Sequence, residues 1–171
     1  VRALHYSNGI RAVPLWLAYT MFDFIFVLII AGVTTAIFVG ASDAFYGPGY
    51  LFVVFALYGL TAILFSYLIS IVVTSQLAAF AFAAGGMVSL YLIYFIGYMA
   101  ILTYAPAYKI DDWIDIFHWT ISLIAPSGSL LRTQLLSLNS FSVLCDGNKI
   151  PSYPGKLTVY GGPILYLTVQ A

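Results

Sequence analysis

The densest group of ionisable side chains is Asp111, Asp112, Asp115 and His118. Asp115 and His118 are three apart, so in a helix they share one face, a pairing suited to acid–base work or to a hydrated cation. The same acids suit the first turn of a helix, where carboxylates meet the positive end of the backbone dipole, and this capping role is the simpler reading. A zinc site needs three or four convergent ligands, and the only other histidine is the distant His5. Phosphate chemistry fares no better. A P-loop requires G-x-x-x-x-G-K-[ST], whereas Gly155-Lys156 has Ile150 at the first glycine position and Leu157 after the lysine. No catalytic, nucleotide-binding or metal-binding residue is assigned on this basis, and by itself the chain is not expected to be an enzyme. A lone acid, Asp23, lies inside an apolar run. Intramembrane ionisable groups are costly and are functional candidates by default, although a purely structural role in placing the helix is equally open.

The elements that must position these groups are set by composition. Of 171 residues, 63% are hydrophobic and 7% charged, and the formal net charge is zero. An ordinary soluble domain is roughly one-quarter charged, so the solvent for most of this chain is lipid. The lack of a basic patch excludes a nucleic-acid binder. The expectation is an all-α, polytopic membrane protein with membrane lipid as its surroundings; which membrane is open. Val1 is not an initiator Met and Ala171 falls within an apolar run, so a piece of a longer membrane protein is expected. The single Cys145 makes no internal disulfide.

A spanning helix needs about 20 mainly apolar residues. Residues 14–41, 50–73 and 77–104 meet that requirement, and 161–171 read as the start of a further span. Arg2 and Arg11 flank the first span while the loop after it carries only Asp43, which places the N-terminal segment 1–13 in the cytoplasm. The Asp43 loop is then outside, the Thr74-Ser75-Gln76 turn inside, and everything beyond Tyr104 outside. Within residues 111–139 the apolar stretch Trp113 to Ile124 is too short to span and contains Asp115 and His118. Pro126-Ser127-Gly128 then breaks the run, and the segment reads as a re-entrant helical hairpin on the outer face. Lys149 and Lys156 argue the other way, since they would suit a cytoplasmic loop. Residues 140–160 read as an exposed, irregular connector rich in turn formers.

Two helix faces stand out. Ser66, Ser70 and Thr74 recur every four residues and form one stripe. Ala78, Ala79, Ala81, Ala83, Ala84, Gly85 and Gly86 crowd one end of the third span, where small residues allow backbones to approach; ordinary bundle packing is the expectation. The bulky end of that span, with Tyr91, Tyr94, Phe95, Tyr98 and Tyr104, reads as an interfacial anchor.

The run RALHYSNGIRAVPLWLAYTMFD resembles the segment leading into a transmembrane helix in the A subfamily of ATP-binding-cassette transporters. The matching features are Arg2, Leu4, the Asn8-Gly9 pair, the Ile10-Arg11 pair, Trp16 and, seven residues on, Asp23. The chain departs from the pattern at Asn8, where Ser is common, at Leu15, where Tyr often precedes the Trp, and at Phe22, where Trp often precedes the Asp. FALYGLTAILFSYLISIVV resembles the next span, Thr74-Ser75-Gln76 with Ala78 the short turn, and IDIFHWTISLIAPSGSLLRTQLL the outer hairpin with its break at Pro126 and Gly128. The resemblance implies part of one transmembrane domain of a lipid-type transporter of the ABC-2, or type V exporter-like, class. It implies that Arg2, Leu4, His5, Asn8, Gly9 and Arg11 form a cytoplasmic coupling segment. It implies as partners a nucleotide-binding domain outside this stretch of chain, where ATP and Mg would bind, and a second transmembrane half. The alternatives from other classes are an intramembrane enzyme using Asp111, Asp115 and His118, and a channel or permease without a motor.

Overall fold

The computed structural model describes residues 12–41, 45, 47–138 and 155–171. Among them there is helix and no strand. Helix α1 spans Ala12–Ala41, α2 Pro48–Val72 and α3 Gln76–Tyr104. All three are long and apolar enough to cross a membrane. At 1.5 Å per residue each exceeds the roughly 30 Å of a hydrocarbon core. A short 3₁₀ turn, Ala107–Lys109, leads into α4 (Ile110–Ile124) and α5 (Pro126–Ser137), and α6 (Gly162–Gln170) closes the described chain.

The helix boundaries follow from local chemistry. Gly47 precedes α2 in the left-handed region (φ 66°), open to glycine at little cost, and Pro48 follows where a missing N–H loses nothing. Val73 and Ser75 are extended, so α2 and α3 reverse direction over a few residues. Ala125 is extended because a proline follows it, and Pro126 opens α5. The two helices α4 and α5 are thus separated by a break at Ala125-Pro126.

The outward faces of α1, α2 and α3 carry large exposed side chains such as Ile25, Ile29, Leu68, Phe80 and Ile96, as helices solvated by lipid do. Helix α2 is the hub, packing against α1, α3, α5 and α6. The densest core lies between α3 and the α4–α5 hairpin, where Tyr94, Tyr98, Ile114, Leu131 and Leu136 are buried together. Three expectations change here. Tyr94 and Tyr98 are core residues and not interfacial anchors, because Gly97 lets the Phe117 ring of α4 lie directly on α3. The small-residue end of α3 packs only in part: Ala83 is buried, while among the described residues nothing lies within 4 Å of where a Cβ would be on Gly85 or Gly86. The connector expected over 140–160 ends in ordered structure: Leu157–Gly161 form one wide helical turn with Val159 and Tyr160 buried. The reason is stacking, since the Tyr160 ring lies 5.3 Å from that of Tyr50 at the start of α2 with a 13° interplanar angle.

Candidate functional site

The acid inside the first span sits on α1 where that helix faces α2. Asp23 is half-buried, and its Oδ2 accepts a hydrogen bond from the Tyr67 hydroxyl of α2. Trp16, two helical turns earlier, packs its ring on the same tyrosine at 5.1 Å and 56°. The two residues singled out in α1 thus converge on one side chain of α2. Four residues beyond Asp23, Val27 crowds Gly59, where an added Cβ would meet three of its side-chain carbons. Contact between α1 and α2 therefore combines one polar clasp, one ring contact and one close backbone approach.

Two clefts meet at this clasp. One, of about 490 Å³, runs between α1 and α2 and is lined by apolar groups including Val27, Ile30, Phe55 and Tyr58, with Leu130 of the hairpin at its wall. The other, of about 660 Å³, opens toward the α2–α3 turn and is lined by Trp16, Tyr19, Ser70, Thr74, Ser75 and Gln76. Asp23 and Tyr67 line both. The Ser66, Ser70 and Thr74 stripe is distributed between them: Ser66 lines the first, Ser70 and Thr74 the second. Ser66 and Ser70 each donate to a carbonyl of their own helix, Ala62 O at 2.8 Å and Tyr67 O at 2.7 Å.

The acid cluster resolves differently. Asp115 is paired with Arg132 of α5 at 2.7 Å, and the same guanidinium donates to the Thr158 carbonyl at 3.2 Å. That carbonyl is released because Val159 leaves the helical path (φ −106°, ψ −109°). Arg132 thereby ties α4, α5 and the wide turn together from a fully buried position. His118 points elsewhere: the hydroxyls of Tyr94 and Ser122 close on its Nδ1 at 3.2 and 3.0 Å, which suits the tautomer protonated on Nε2. Burial, with Arg132 nearby, pushes the imidazole pKa down to about 2, so the ring is a neutral polar core group. No group of three or more His, Cys, Asp or Glu able to hold a metal exists among the described residues. Asp112 lies in the first turn of α4, whose N-cap residue is Lys109 with no side-chain capping hydrogen bond.

Arg2, Leu4, His5, Asn8, Gly9 and Arg11 lie outside the described residues. Pro126 and Gly128 are buried in the first turn of α5. A Cβ on Gly128 would come within 3.1 Å of the Tyr94 ring and 3.2 Å of Ser122 Oγ, so this glycine is what allows the break in the hairpin to seat on α3 and α4.

The sequence pattern of ABC-2 family transporter proteins matches residues 1–171. The chain belongs to that family. No curated protein and no solved structure matches it. This ABC-2 chain is an integral, multi-pass membrane protein and the transmembrane part of an ABC transporter, the permease component. Membership implies pairing with an ATP-binding domain and another transmembrane half.

Two residues of the ABC-2 chain escaped the sequence reading. Arg132 is one, although a single cation on one arm of a Pro-broken segment whose other arm carries Asp111, Asp112 and Asp115 is a readable signal. Tyr67 was seen only as part of a resemblance; nothing in its surroundings in the sequence marks it as the partner of Asp23.

Proposed function

We propose that this chain is part of one transmembrane domain of a lipid exporter resembling the A subfamily, and that it carries ATP-driven movement from a cytoplasmic motor to a lipid-facing path. The observation that carries the reading is the convergence of Trp16 and Asp23 on Tyr67. A segment such as residues 1–13, pushed by a nucleotide-binding domain, would move the N-terminal end of α1. The clasp would pass that displacement to α2, which is packed against α3, the hairpin and α6. Coupling of this kind needs an element with two arrangements that both sites bias. A single polar clasp between apolar helices is such an element, because one hydrogen bond can open without unpacking a core. The clefts on either side of it, one apolar and one lined by hydroxyls and rings, suit an amphiphile better than an ion or a sugar. ATP and Mg belong to the partner domain in this reading.

The test uses the intact transporter in proteoliposomes, with lipid-stimulated ATP turnover and lipid translocation measured together. Substituting Gly9 or Arg11, and separately Tyr67→Ala, is expected to lower translocation more than ATP turnover. Unchanged translocation in all three variants would sink the proposal. The intramembrane-enzyme alternative is weakened by the ion pair that already occupies Asp115.

A further inference from the structure

Asp23 is the only charged side chain in the three long helices. Among the described residues its hydrogen-bond donor is a tyrosine, with no cation beside it. A carboxylate at such a position is costly, and the clasp with Tyr67 leaves its charge uncompensated. Around it stand aromatic rings: Trp16 and Tyr67 pack together at 5.1 Å, and Tyr19, 38% exposed, lines the same cleft. A carboxylate that lines one cleft together with three aromatic side chains suits an ammonium group, because ring quadrupoles and a fixed anion both attract a cation that is poorly hydrated. Ring contacts of this sort strengthen as water is excluded.

Beyond the carboxyl, the apolar cleft continues between α1 and α2. Its volume of about 490 Å³ falls within the roughly 300–1,000 Å³ typical of small-molecule sites. Val27, Ile30, Ala31, Phe55 and Ile63 line it, and it shares Asp23 and Tyr67 with the wetter cleft. Head and tail requirements are thus met in one continuous space, with the charge at the junction.

We infer that the Trp16–Tyr19–Asp23–Tyr67 cleft binds the ammonium head of a single-chain amphiphile, whose hydrocarbon tail lies in the apolar groove between α1 and α2. The inference deepens the proposed function, on which it rests for the notion that an amphiphile reaches this space, and names a subsite for one class of head. The ammonium and the Tyr67 hydroxyl, which bonds Oδ2, compete for the same carboxylate charge, so occupancy weakens the clasp between α1 and α2 without having to break it.

The experiment measures binding of hexadecyltrimethylammonium and of its uncharged isostere, in which carbon replaces the nitrogen, to the intact transporter in nanodiscs. The wild type is expected to favour the cation by at least about tenfold. Asp23→Asn should abolish the preference while leaving binding of the uncharged probe unchanged, and Asp23→Glu should retain it. Tyr67→Phe keeps the ring and removes the competing donor, so the preference should persist or grow. Equal binding of the two probes by the wild type, or a preference that survives Asp23→Asn, overturns the inference. Repeating the titration in discs of choline lipid and of phosphatidylglycerol, each read as wild type minus Asp23→Asn, identifies the source of the head. A preference seen in both assigns the site to free single-chain amines, and one lost only in choline discs shows the bilayer lipid already occupying it. Lipid translocation is measured on the same preparations. Translocation without cation preference refutes this inference alone, and cation preference without translocation refutes the lipid-exporter reading alone.

Discussion

Removing either partner of the Arg132–Asp115 pair should have very unequal consequences. The pair spans 2.7 Å, but Arg132 is 2% exposed and Asp115 42%. Taking away Arg132 with Arg132→Met leaves a carboxylate that can turn to solvent, and a thioether chain of similar length fills the space. What is lost includes a charge-assisted hydrogen bond to Asp115 and the one to Thr158, so the expected cost is about 1–2 kcal/mol, with the ion-pair part discounted for the exposure of Asp115. Taking away the acid with Asp115→Ala strands a guanidinium in the core. Breaking a buried pair in this way costs about 3–5 kcal/mol, and the Thr158 carbonyl, which Arg132 still reaches at 3.2 Å, places this case near the lower end. The double variant Asp115→Ala/Arg132→Met should fall close to Arg132→Met alone, because the stranded charge is gone. Thermal unfolding of the intact transporter in neutral detergent gives the ranking. A domain of this size shifts by roughly 2–4 °C per kcal/mol, so Asp115→Ala should unfold about 6–12 °C lower and the double variant only about 2–8 °C lower. The reasoning is refuted if Arg132→Met is the more damaging single change, or if the double variant shows the sum of the two.

Three further outcomes are expected. Gly59→Ala should destabilise by about 1–3 kcal/mol through overpacking against Val27, and Val27→Ala should relieve most of it; thermal unfolding of the two single variants and the pair checks this. Tyr67→Phe should cost about 1–2 kcal/mol in the native background, in the range of a hydrogen bond to a charged group, and much less with Asp23→Asn already present, a difference that a double-mutant cycle reads directly. His118 is buried neutral, with its pKa depressed to about 2, against an ordinary value near 6.5. The unfolded chain therefore binds the extra proton between those values, so stability is fully present above about pH 6.5 and falls by about 1.4 kcal/mol per pH unit below it. His118→Asn should flatten that slope; an unchanged slope between pH 6.5 and 5 would place the sensitivity elsewhere.

Much of the architecture is legible in the residue order. Three apolar stretches of helix length, with Asp23 their single charge, separated by Gly-Pro-Gly and by Thr-Ser-Gln, leave little freedom in lipid, because a backbone there must satisfy its own hydrogen bonds. The break at Pro126 is equally readable, since proline disfavours helix in the residue before it. The roles of the tyrosines are not readable in this way. Tyr91, Tyr94, Phe95, Tyr98 and Tyr104 look alike along the chain, yet Tyr94 and Tyr98 are core while Tyr104 is 85% exposed. The difference arises from where the hairpin lands, and that depends on Gly97 and Gly128 admitting ring and backbone at close range.

The sequence by itself determined that this chain lives in a membrane, that it crosses as helices, and that one carboxyl was placed within them. These are consequences of composition and of spacing along a single helix, which are local quantities. Only the tertiary structure decided what each charge does. Asp23 meets Tyr67 across 44 residues of chain, and Asp115 meets Arg132 across 17. Such pairings depend on how two helices are rotated against each other. In a helix that is apolar on every side, no hydrophobic face announces that rotation. Small residues and a few polar contacts set it instead, and these become visible only once the helices are packed.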